Sequence, residues 1–134
     1  MATAKTHFII SLIVLLSACH SNEKEYTPEA TVLTCVTALE NFNSKTIRSL
    51  LARNAQNDAM LASLESASAS MSGAQKEAYK SQFKNRKHQV TVTNEDDESA
   101  SVTVTSEGGA PGMGFSFELT YEDMAWKIER ITPL

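Results

Sequence analysis

Two hydrophobic periods divide the chain. Between Thr27 and Phe83 apolar residues recur at helical spacing, and from Lys87 onward they alternate with a period of two. Thr27-Pro28-Glu29 supplies a helix start: a hydroxyl to cap free N–H groups, a proline suited to the first helical position, and an acid at the positive end of the dipole. Val32, Val36, Leu39 and Phe42 form the first stripe, and Cys35 lies on it. Asn41-Phe42-Asn43-Ser44 interrupts, after which Ile47, Leu50 and Leu51 predict a second, shorter helix. Asp58 is expected to open a third, with Met60, Leu61 and Leu64 as its apolar positions. Its continuation, Ser66-Ala67-Ser68-Ala69-Ser70, suits either close approach of another backbone or a solvated face. Ser72-Gly73-Ala74-Gln75 fits a capping box, so a fourth helix should run through Ala78, Tyr79 and Phe83.

The alternating half predicts four strands. His88 to Thr93 and Ala100 to Thr105 form a pair across the polar turn Asn94-Glu95-Asp96-Asp97-Glu98. Residues 107–114 hold four of the chain's five glycines and form a loop. Phe115 to Tyr121 and Trp126 to Ile131 complete the sheet. A two-residue turn at Asp123-Met124 sets a register that pairs Tyr121 with Trp126, Leu119 with Ile128 and Phe117 with Arg130 on one face. Thr120 with Lys127 and Glu118 with Glu129 then fall on the other. Val90, Val92, Val102, Val104 and Phe115 join the apolar face, and Arg130 is the one polar residue the register places there.

Ahead of the helices, Lys5 precedes an apolar run from Phe8 to Leu16, followed by small residues. The run is shorter than the roughly 20 apolar residues of a bilayer-spanning helix. Leu16-Ser17-Ala18-Cys19 resembles the lipobox of bacterial lipoproteins, and that resemblance implies cleavage between Ala18 and Cys19 and a diacylglyceryl group, with acyl chains such as palmitate, in thioether linkage to the Cys19 thiol. Residues 1–18 are then a lipoprotein signal peptide, 19–26 a lipidated tether and 27–134 the folded domain. The polar tether His20 to Tyr26 spans roughly 25–30 Å at most. Neither His20 nor Ser21 is the aspartate of an inner-membrane retention signal, so the resemblance implies an outer-membrane anchor with the domain facing the periplasm.

Charge and cysteine usage narrow the function. The formal net charge is −4, and removing residues 1–18 deletes one lysine and no acid, taking it to −5. An acidic chain lacks the positive footprint that nucleic-acid phosphates require. With Cys19 acylated, Cys35 has no partner, so no internal disulfide is expected and stability must come from packing.

Helices followed by an antiparallel meander with one apolar face specify an α+β fold. The element order, the Thr27-Pro28-Glu29 start, the break near Gly73 and the closing Trp126-Lys127-Ile128 resemble small bacterial lipoproteins with a nuclear-transport-factor-two-like domain. The resemblance covers Pro28 to Ile131 and implies a curved sheet wrapping a long helix into a cone with a pocket. The candidate pocket residues are Tyr79, Phe117, Leu119, Tyr121, Trp126, Ile128 and Arg130. Relatives usually carry glycine where this chain has Met124, and a positive φ there is sterically costly.

Catalytic and metal chemistry find little support. One histidine (His88) and one cysteine (Cys35) in residues 27–134 exclude most His/Cys metal sites. His88, beside Lys84, Arg86 and Lys87, reads as a solvated basic edge, and Cys35 as a small buried hydrophobe. Asn94 to Glu98 lacks the ligand spacing and glycine of an EF-hand, and the glycine-rich loop lacks a phosphate-binding ending. An isomerase of the ketosteroid type needs a carboxylate in the cone, yet Glu118 and Glu129 point away from the apolar face and leave the hydroxyls of Tyr79 and Tyr121 without a base. Arg130 either lays its stem over Phe117 or accepts an anion at the cone mouth. The expectation is a non-enzymatic, cofactor-free, lipid-anchored protein that binds a small apolar ligand or an envelope protein. An isomerase- or dehydratase-type enzyme and a structural or inhibitory component are the alternatives.

Overall fold

The computed structural model describes residues 27–84, 86–107 and 114–134. The expected signal peptide (1–18), the expected tether (19–26) and residues 108–113 of the glycine-rich stretch therefore lie outside the described residues. The fold is α+β, with four helices preceding four strands: α1 Pro28–Glu40, α2 Ser44–Leu50, α3 Ala55–Ser70, α4 Gly73–Ser81, β1 His88–Glu95, β2 Ser99–Ser106, β3 Gly114–Glu122 and β4 Ala125–Pro133. The sheet is an antiparallel meander in the order β1-β2-β3-β4.

Each helix starts on a side chain that accepts an orphan N–H. Thr27 caps α1 through Ala30 N (3.2 Å), Asn43 caps α2 through Thr46 N (3.2 Å), and Asn54 caps α3 through Asn57 N (2.8 Å). Asn54 starts α3 ahead of Asp58, which sits in the first turn where an acid favours the dipole. The capping box of α4 is formed: Gln75 N donates to Ser72 Oγ at 3.2 Å and Ser72 N to Gln75 Oε1 at 2.8 Å. At the end of α1, Phe42 takes a left-handed φ of 53°. Asn43 N then reaches Ala38 O at 2.8 Å and Phe42 N reaches Leu39 O at 3.3 Å, the two bonds of a Schellman termination. The Ser/Ala stretch of α3 faces solvent, with only Ser68 half-buried.

The core lies between the helices and one face of the sheet. Val32, Cys35 and Ala38 of α1, Ile47 of α2 and Leu61 of α3 pack with Ala100, Val102, Val104, Phe117, Leu119, Trp126 and Ile128. The opposite face carries Thr91, Ser101, Thr103, Ser116, Glu118 and Thr120, half-buried or exposed, as one-sided burial of an antiparallel sheet requires. Gly114 is needed for strand approach, because a Cβ there would collide with the carbonyl oxygen of Val104.

The last hairpin departs from the expected register. Tyr121 does pair with Trp126, Thr120 with Lys127 and Leu119 with Ile128, but the register then shifts, so that Glu118 faces Arg130 and Phe117 faces Ile131. Glu129 is the extra residue of a β-bulge. Without it Arg130 would stand on the core face, where desolvating a guanidinium is costly. With it Ile131 returns to pack on the core and Arg130 is exposed.

The outer edge of β4 is sealed by the segment between α2 and α3. Leu51 forms a parallel bridge with Ile128, and Ala52 N donates to Ile128 O at 2.8 Å. Asn57, 2% exposed, donates both amide hydrogens, to Ala52 O (2.8 Å) and to Ile128 O (2.9 Å). Asn54 Nδ2 reaches Glu129 O at 3.0 Å and Lys127 Nζ reaches Ser49 O at 2.7 Å. Buried polar groups are tolerated when satisfied in this way.

Candidate functional site

Of the residues expected to line a pocket, Phe117, Leu119, Trp126 and Ile128 come together as core. Phe117 and Ile128 are fully buried in the cluster shared with the helices. Tyr121 lies at the rim, 43% exposed, with its ring 5.3 Å from that of Trp126 in an edge-on arrangement. Arg130 is carried to the surface by the bulge. Tyr79, on α4, joins a separate aromatic cluster: its ring is 4.7 Å from Phe42 and 4.9 Å from Phe83.

That second cluster marks a corner where α1, α4 and the start of β1 converge. Glu40, the last residue of α1, meets His88, the first residue of β1, at 2.6 Å between Oε1 and Nε2. Both side chains are about four-fifths buried, at 18% and 19% exposure. The corner therefore half-buries a histidine that its basic neighbours had marked as solvated. His88 Nδ1 is buried with no hydrogen-bond partner among the described residues. A carboxylate only accepts, so in a neutral ring the hydrogen belongs on Nε2 and Nδ1 is left as a bare lone pair. Burial and the nearby Glu40 carboxylate together raise the Tyr79 hydroxyl above the ordinary tyrosine range.

Glu40 also forms part of the wall of an open cleft of about 450 Å³, together with Asn41, Glu77, Lys80, Ser81, Phe83 and Lys84. The cleft thus presents two carboxylates and two ammonium groups. Glu77 and Lys80 make a loose surface pair at 3.8 Å, one turn apart on α4, a geometry that contributes little in water. Lys84 has no acidic partner within salt-bridge distance among the described residues. Arg86 lies 5.5 Å above the Phe83 ring. A second cleft, also about 450 Å³, runs along the outer face of α1 past Leu33, Thr34, Thr37 and Asn43, and the two share Asn41. None of the seven expected pocket residues lines either cleft.

Cys35 behaves as its place on the α1 stripe requires. It is fully buried among apolar residues, and desolvation pushes its thiol up to about 12. Asp96 accepts from Glu98 N and Ser99 N, both at 2.8 Å, which holds its carboxyl below the usual range and shapes the first hairpin. The described residues contain no group of three or more His, Cys, Asp or Glu placed to share a metal ion. No helix among them is long and apolar enough to cross a membrane.

No protein-family model matches the chain, and a search of curated proteins finds no match either. The Glu40–His88 pair itself could not be found from periodicity, because its members stand 48 residues apart. The only local hint was Glu40 at the end of a helix whose stripe faces the sheet.

Proposed function

We propose that this chain is a lipid-anchored protein of the bacterial cell envelope whose folded domain is a binding module. The observation that carries it is Leu16-Ser17-Ala18-Cys19 at the end of an apolar run, followed by a polar tether and a single α+β unit. On this reading residues 1–18 are removed, Cys19 is acylated, and the domain faces the periplasm from the outer membrane. The helix-then-sheet order and the helices covering one sheet face support a nuclear-transport-factor-two-like cone. Phe117, Leu119 and Ile128 are committed to packing, which favours a partner or ligand held at the surface over an apolar molecule enclosed in the cone.

Metabolic labelling with a clickable palmitate analogue, with mass spectrometry of the mature N-terminus, tests the anchor. Cys19→Ser should abolish label and leave an uncleaved precursor. An unchanged, detergent-partitioning mature form in that variant would refute the assignment.

The isomerase- or dehydratase-type alternative gains one specific observation, a carboxylate paired with an imidazole near a tyrosine hydroxyl. The cleft beside Glu40 is open and lined by lysines, so it supplies neither the exclusion of water nor the low dielectric that such a base needs. Binding therefore remains the favoured role.

A further inference from the structure

We propose that the cleft at the junction of α1 and α4 is a binding site for a small zwitterion of amino-acid or dipeptide size. Glu40 receives the ligand's ammonium group, and Lys84 and Lys80 receive its carboxylate. The inference rests on the domain being a binding module but not on the anchor.

Three features favour this class. The cleft volume, about 450 Å³, falls within the few-hundred-Å³ range of small-molecule sites. Its wall holds charges of both signs in equal number, so a ligand of either single sign meets as much repulsion as attraction, whereas a dipolar one can satisfy both. Glu40 is also fixed in place: His88 holds Oε1 at 2.6 Å, and the half-buried setting restricts its rotamers. Among the described residues His88 is its sole side-chain hydrogen-bond partner. Glu40 lines the cleft while His88 engages Oε1, so Oε2 is left to meet a cation. His88 is thus a positioning residue. On the other side the Glu77–Lys80 pair is loose enough to exchange for ligand contacts, and among the described residues Lys84 has no acid to give up. The Phe83 ring supplies an apolar surface for the ligand's methylene groups.

The test is a titration of the purified full chain with glycylglycine, read by the chemical shifts of the His88 ring and the Lys84 ε-methylene. Acetate and methylammonium serve as single-sign controls. Saturable shifts at both residues are expected with glycylglycine, with at least tenfold weaker binding of either control. Lys84→Glu, on an exposed side chain that the fold does not need, should weaken binding at least tenfold. His88→Asn should weaken it less and leave the stoichiometry unchanged. Equal binding of methylammonium would instead reveal a plain cation site, and linear, non-saturating shifts or an unaffected Lys84→Glu would equally overturn the proposal. A mature, detergent-partitioning form that persists in Cys19→Ser bears on the anchor alone, so the two can fail separately.

Discussion

Met124 offers the sharpest test of the hairpin geometry. Asp123 and Met124 have φ of 51° and 64°, so both central residues of the β3–β4 turn are left-handed, as a type I′ turn demands. Aspartate tolerates this region; a long unbranched side chain does so at about 1–2 kcal/mol. The Met124 side chain is 84% exposed, so its removal forfeits almost no packing. Met124→Gly relieves the backbone cost but adds freedom to the unfolded chain, worth about 0.4–1 kcal/mol in the opposite sense. The net expectation is a gain of about 0.5–1 kcal/mol, or about 3–5 °C in the thermal midpoint for a domain of this size. Circular dichroism melts and urea titrations should show a raised midpoint with an unchanged m-value. Met124→Ala keeps the Cβ and should be neutral. An unchanged or lowered midpoint for Met124→Gly, together with a gain for Met124→Ala, would show that the side chain, not the backbone, sets the cost.

Other perturbations probe the core and its polar anchor. Asn57→Ala should cost about 1–3 kcal/mol, since it removes a donor from Ala52 O in a buried site, while Ile128 O keeps its bond from Ala52 N. Asn57→Leu keeps the volume and should be no better, so recovery of stability in a urea titration of that variant would rule out the hydrogen bonds as its basis. Trp126→Ala should cost about 3–5 kcal/mol by chemical denaturation, and a midpoint barely moved would contradict its place in the core. Cys35 should resist thiol reagents in the native state and react on unfolding. Its folded thiol is raised from 9.0 to about 12, so the unfolded chain ionises first. The stabilisation is full below pH 9 and is lost as pH rises toward 12, at about 1.4 kcal/mol per pH unit. Cys35→Ala should flatten that alkaline slope, and an unchanged slope would assign it to other groups.

What could be read from the chain follows how local each signal is. Thr27-Pro28 and the Ser72–Gln75 box lie within four residues of the groups they satisfy, so those two helix starts were legible. Asn54 was missed because Asp58 is an equally good opening residue by type; the choice is made by Asn54 Nδ2 reaching Glu129 O, a contact 75 residues away. The sheet faces were legible through their period of two, as far as Leu119 and Ile128. Beyond them the pattern Ile128-Glu129-Arg130-Ile131 holds two polar residues between two apolar ones. A regular ladder must expose one isoleucine, and the bulge resolves the conflict by burying Ile128 and packing Ile131 against the core. The Glu40–His88 corner was illegible for a different reason: composition around His88 is basic, and only the fold brings an acid to it. Of the expected pocket, what was legible was the apolar face itself, not whether helices would fill it.

The asparagine that seals the edge of β4 also sets an order of events. Its acceptor at Ile128 is made 71 residues after it, so during synthesis this latch stays open until the final strand has emerged. Until then Asn57 lacks one of its two acceptors, and the edge it closes does not exist. Late latching thus suits a polypeptide that crosses a membrane before it folds, as the proposed anchor would require.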